Sequence, residues 1–198
     1  MGNLSVTESK SAVEYLTEKD PPLGKLIRFV FEIDKNPLEV RNSTYYESLV
    51  GSVVSQQLSN IVSKTIMGRI RNLVPNHCIT PESISSLDIQ SLRECGLSKA
   101  KASYIQGIAE TIMTGDLGFE EIAELSDEDV LIRLQKIRGI GKWTAEMFLI
   151  FQLNRQNIFP NADAGIRSAM IKLYGLNKQV SVGTLDSISE IWNPYKSN

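Results

Sequence analysis

Residues 137–145, IRGIGKWTA, hold the densest chemistry of this 198-residue chain. Gly139 and Gly141 flank one isoleucine, and Arg138 and Lys142 stand beside them. Glycine inside a helix costs about 1 kcal/mol against alanine, so a pair between two helical runs needs a backbone reason. If DEDVLIRLQKI is one helix and KWTAEMFLIFQL the next, RGIG is the whole connection, and a turn that tight demands positive φ at glycine. The amides of Gly139, Ile140 and Gly141 then gather at the N-terminus of the second helix, where the dipole favours an anion and Arg138 and Lys142 add charge. A nucleic-acid phosphate suits such a helix-hairpin-helix, because it is gripped without any base being read. A plain helix turn with no ligand fits the same spacing. A dinucleotide-binding G-x-G-x-x-G does not, since Thr144 occupies the third glycine position and no strand precedes it. Asp163 heads the helical run AGIRSAMIKLYG, and on spacing alone it is a helix cap. The single histidine, His77, lies next to Cys78 in a proline-flanked loop and reads as a surface residue. Cys78 and Cys95 lack any C-x-x-C spacing, so neither a disulfide framework nor a zinc or iron–sulfur site is encoded.

The elements that position these residues are helical. Apolar residues recur at three- and four-residue intervals between recognisable caps. Thr80 with Pro81 opens one short helix, and Gly96 closes the next after LDIQSLREC. Ser98 opens KAKASYIQGIAETIM, whose Ala102, Ile105, Ala109 and Ile112 form one stripe, and Gly115 ends it. Ser126 with Asp129 resembles a capping box before VLIRLQKI. The strand-like stretches LIRFVFEI and MFLIFQL sit inside longer helix-compatible runs without hairpin turns. The spacing therefore predicts an all-α chain. Net charge is −2 and the pI about 5.6, which argues against coating nucleic acid by bulk electrostatics. The average hides a split: residues 131–198 carry nine Lys and Arg against four Asp and Glu, a balance of +5, leaving −7 for the rest. Such a split focuses an anionic partner on one part of the surface, and random scatter over solvated faces is the plainer reading. No run approaches the roughly 18 apolar residues of a membrane span, and MGNLSVTESK has no leader pattern, so a reducing compartment and no membrane are expected.

Four stretches together resemble a known family: SVVSQQLSNIVSKTI from Ser52, LRECGLSKAKASYI from Leu92, LQKIRGIGKWTAEMFL from Leu134 and FPNADAGIRSAM from Phe159. Their order and spacing are similar to the helix-hairpin-helix DNA glycosylases, in particular the 3-methyladenine DNA glycosylase II (alkylbase) branch. The resemblance implies a two-lobed all-α glycosylase fold with a central cleft and no N-terminal β domain. Residues 1–198 would form a single glycosylase unit, with one lobe of about 43–155 carrying wedge and hairpin and the other of about 1–42 plus 156–198. At the C-terminal end, IWNPYKSN resembles the start of a motif that in the family continues into an aromatic-rich helix.

The resemblance also assigns roles. Asp163 matches the family's catalytic carboxylate, which stabilises the positive charge that builds on the sugar as an N-glycosidic bond breaks and orients the attacking water. Alkylation at N3 of adenine or N7 of guanine already makes the base cationic, so it leaves as a neutral species and no second carboxyl acid is required. Strand-nicking relatives carry lysine directly before the Thr-Ala of the hairpin helix. Here that position is Trp143, and Lys142, one residue earlier, is turned by about 100°. A monofunctional enzyme is therefore implied. Trp143 would offer its π-face to an electron-poor base, an attraction of roughly 0.5–2 kcal/mol, with Met147 on the same wall; a core tryptophan and a core methionine are the plain alternatives. Gln57 matches the residue that enters the base stack and Gln56 is grouped with it at the wedge, or braces the loop. Arg138, Gly139, Ile140, Gly141, Lys142 and Thr144 would hold one phosphate, and Ser98, Lys99 and Lys101 a second, unless the latter are an ordinary helix start. A sodium or potassium ion at the carbonyls of Ile137 and Gly139 would bridge hairpin to phosphate; the chemistry requires no other cofactor. The partner implied is double-stranded DNA with a damaged base, bound by a monomer in the cytoplasm or nucleoid, or in the nucleus of a eukaryote. Another lesion, such as ethenoadenine, hypoxanthine or uracil, and a non-catalytic DNA-binding module are the alternatives.

Overall fold

The computed structural model describes residues 6–33 and 43–197, and it is helical throughout: no strand occurs among the described residues. In chain order the helices are α1 (Val6–Lys19), α2 (Pro21–Ile33), α3 (Tyr45–Ser55), α4 (Asn60–Leu73), α5 (Pro81–Ser85), α6 (Ile89–Glu94), α7 (Lys99–Met113), α8 (Phe119–Ile122), α9 (Asp127–Gln135), α10 (Lys142–Phe151), α11 (Ala164–Tyr174) and α12 (Val182–Ser189). Short polar residues start them. Thr44, Ser59, Thr80, Asp88, Ser98, Ser126, Asp163 and Ser181 each accept an N–H from the first turn of their helix. Each such cap is worth about 1 kcal/mol. The full capping box is at Thr80 and Ser83. At Ser126 the reciprocal bond runs instead from the hydroxyl to Asp129 Oδ2, at 2.7 Å.

The chain divides into two compact units, Asn42–Phe148 and Met1–Arg41 with Leu149–Asn198. The division falls inside α10, earlier than residue 155. Phe148 packs against Tyr45 and Phe119, with ring centroids 5.4 and 6.3 Å away, whereas the Leu149 carbonyl accepts the Arg155 N–H.

In the first unit α7 is the central helix, against which α3, α5 and α6 pack. Its Ala102, Ile105 and Ala109 are fully buried as the stripe predicts, Ile108 joins them, and Ile112 is half-buried at the edge. The Tyr46 hydroxyl reaches the Ile105 carbonyl at 3.2 Å, and burial pushes the Tyr46 pKa far above the usual tyrosine range.

The second unit is built on Leu16, Met170, Leu185 and Trp192. Its polar anchor is Asp20, only 2% exposed. One carboxylate oxygen accepts the Leu23 N–H and starts α2; the other accepts from the Tyr174 hydroxyl and from Trp192 Nε1. Burial and the neighbouring carboxylate raise the Tyr174 pKa well above its ordinary value. Among the described residues, no helix is long and apolar enough to cross a membrane.

Candidate functional site

The hairpin connection is longer than RGIG, because α9 ends at Gln135 and residues 136–141 lead into α10. The two glycines serve different purposes. Gly139 has φ +97°, and a Cβ on it would lie 2.4 Å from Cγ of Tyr104, so both the left-handed backbone and the close approach require glycine. The Arg138 guanidinium sits 5.8 Å from the centre of the same ring. Gly141 is not left-handed, and a Cβ there would meet nothing within 4 Å. Glycine at that position leaves the backbone bare.

Two residues expected at the phosphate also make contacts inside the fold. The Ile140 N–H donates to the Ile137 carbonyl at 3.1 Å and closes the turn, while its side chain is buried. Thr144 is 2% exposed, and its hydroxyl accepts from Gln56 Nε2 at 3.3 Å. Among the described residues the Gly139 and Gly141 amides make no backbone hydrogen bond. With the first-turn amides of α10 and the exposed Arg138 and Lys142, they form the cluster of donors and charges at this end of the helix. Lys142 also lies 3.5 Å from the buried Glu146, one turn on.

The segment expected at the wedge follows α3. Leu58 N–H donates to the Ser55 carbonyl at 3.0 Å, Gln56 has φ −48° and ψ 123°, and Gln57 has φ 58°. This is a type II turn with Gln57 at the position that favours glycine or asparagine. A left-handed glutamine costs on the order of 1–2 kcal/mol, and here it is exposed. Gln56 braces the turn. It is half-buried, and Nε2 donates to the Gly139 carbonyl at 3.1 Å as well as to Thr144, so it ties the turn to the hairpin.

Lys101 is turned toward the end of α3. Its ammonium donates to the carbonyls of Val54 at 2.8 Å and Gln56 at 2.6 Å, the acceptors left open at the end of α3. Burial holds its pKa below the usual lysine range. The Ser98 hydroxyl caps α7 by accepting the Lys101 N–H, and Lys99 is exposed. Behind the hairpin a groove of about 740 Å³ opens with Arg133, Lys136 and Arg138 on its lining, but Glu110 and Asp116 face it too, so its mixed charge is no phosphate track.

Trp143 and Met147 lie one turn apart on α10, and both are half-buried, so neither is wholly committed to the core. In the other unit, Asp163 is the cap of α11. Oδ1 accepts the Ile166 N–H at 2.9 Å, and the Asp163 N–H donates to the Pro160 carbonyl at 2.9 Å. Phe159 and Ile166, packed against the core of that unit, fix the turn on either side. Asp163 as a residue is half-buried. A Cβ on Gly165 would sit 3.0 Å from Oδ1, so glycine leaves that oxygen its room.

Sequence reasoning missed Tyr104, the bed under Gly139, and Gly165. Tyr104 stands three residues after Lys101 on the same helix face, a visible spacing whose meaning depends on chain 35 residues away.

The chain belongs to the HhH-GPD superfamily of base excision DNA repair proteins, whose pattern matches residues 50–194. It is 34% identical over 194 residues to DNA-3-methyladenine glycosylase 1 of Schizosaccharomyces pombe, covering 97% of this chain and 85% of that one. The structure of the 3-methyladenine DNA glycosylase Mag1 from the same yeast, in complex with abasic DNA, superposes with a TM-score of 0.86 at 33% identity, covering 94% of this chain and 91% of that one. A DNA-3-methyladenine glycosidase of Bacillus halodurans gives a TM-score of 0.76 at 30% identity over 94% of this chain and 84% of its own. These relatives place the chain in the alkylbase branch.

Proposed function

We infer that the protein is an alkylbase DNA glycosylase of base excision repair, which turns a nucleotide carrying 3-methyladenine or 7-methylguanine out of duplex DNA and hydrolyses its N-glycosidic bond. The observation that carries the reading is Asp163, a half-buried residue whose carboxylate caps α11, with Gly165 clearing space at its oxygen. As the bond to the cationic base lengthens, positive charge spreads over the sugar ring. The Asp163 carboxylate stabilises that charge and orients the water that adds to C1′. The base departs neutral, so no acid is needed to protonate it.

The remaining parts bind and orient. The Gly139 and Gly141 amides with Arg138 and Lys142 hold a backbone phosphate, and Lys99 adds charge near a second one. Gln57 fills the space left in the base stack. Trp143 stacks on the everted cationic base, with Met147 beside it. The carbonyls of Ile137 and Gly139 each accept one hydrogen bond, from Ile140 N and Gln56 Nε2, and each retains a lone pair. Both fit a sodium or potassium ion, which when bound would add positive charge next to the phosphate. The protein works as a monomer where the chromosome is, in nucleoid or nucleus.

The test is release from methylated duplex DNA. Free 3-methyladenine and 7-methylguanine are expected, leaving an abasic strand uncut until heat or base is applied, with no borohydride-trapped protein–DNA adduct. Absence of released base, or a strand cut by the protein itself, overturns the reading.

A further inference from the structure

We propose that one face of α7, Lys101 together with Tyr104, is the template that fixes the wedge turn against the hairpin, making Lys101 a positioning residue for base eversion. The inference rests on the functional reading above. Type I and type II turns differ by a flip of the central peptide, and in the type II form the third residue is forced to positive φ. In the Ser55–Leu58 turn that central peptide joins Gln56 to Gln57, and its carbonyl oxygen is one of the two that Lys101 Nζ holds, at 2.6 Å. The other, Val54 O at 2.8 Å, belongs to the last turn of α3, so the ammonium locks the turn to its own helix. Without the lysine, the Gln56 carbonyl loses its partner, and the turn is free to flip to type I, where Gln57 relaxes to negative φ and its side chain is re-aimed.

One helical turn further, Tyr104 forms the surface on which Gly139 rests, with Arg138 over the ring. Gln56 closes the loop by donating to the Gly139 carbonyl and to Thr144. Lys101 and Tyr104 thus carry the two DNA-gripping loops on one rigid face, with Gln56 as the cross-tie. Phosphate capture and wedge insertion become a single rigid-body event, and the strain at Gln57 is held before DNA arrives.

The test compares single-turnover release of 7-methylguanine from two duplexes, one with the base paired to cytosine and one with it already extruded in a single-nucleotide bulge. Lys101→Met is expected to slow the paired substrate about tenfold, the weight of a charged hydrogen bond, and the bulged one less than about threefold. Lys101→Arg is expected to restore the paired rate, and Gln57→Ala to reproduce the selective loss. Lys101→Met at the wild-type rate on the paired substrate overturns the proposal. Equal loss on both substrates, accompanied by a lowered melting temperature, also overturns it, by showing a purely structural lysine. If the wild-type protein releases no base from either duplex, the functional reading fails instead, so the two failures are distinguishable.

Discussion

At the residue scale, the two hairpin glycines separate folding from binding. Gly139→Ala must accept φ +97° and a Cβ 2.4 Å from Tyr104 Cγ, so a destabilisation of about 2–4 kcal/mol is expected by denaturant unfolding. Gly141→Ala places its Cβ in open space. Its stability should change by less than about 1 kcal/mol, while affinity for duplex DNA is expected to fall several-fold, the methyl standing in the way of the phosphate proposed for the hairpin amides. The need for glycine was legible in the sequence; the division of labour was not, because it depends on a tyrosine from another helix. Thr144 and Lys101 show the same limit. Each side chain bonds to a group whose position only the folded chain supplies.

At the scale of elements, most of the architecture could be read directly. Helix starts at Thr80, Ser98, Ser126 and Asp163 follow from a short side chain accepting its own first-turn amide, which is local physics. The stripe of α7 follows from the 3.6-residue period. Asp20 could not be read that way, since its carboxylate joins the start of α2 to Tyr174 at the end of α11 and to Trp192, more than 150 residues away. Asp20→Ala strands the buried Trp192 N–H and the half-buried Tyr174 hydroxyl and removes a cap. We expect about 3 kcal/mol lost in thermal or denaturant unfolding, with excision by the folded fraction nearly unchanged at low temperature. A variant as stable as wild type would show that the network contributes nothing net.

At the scale of the whole molecule, a chain with net charge −2 binds a polyanion through few phosphate contacts, not through a general field. Duplex affinity should therefore fall only gently with salt, and Arg138→Met or Lys142→Met should each lower the log–log slope by about 1. A slope unchanged in both variants removes the hairpin from the phosphate. The most direct measurement is on Asp163→Asn. Asparagine keeps an oxygen for the Ile166 N–H, so the α11 cap survives while the charge is lost. Base release from methylated duplex should drop by roughly 10²–10³-fold or more, with melting temperature and DNA affinity close to wild type. An Asp163→Asn protein that releases methylated bases at the wild-type rate would contradict the role given to this carboxylate.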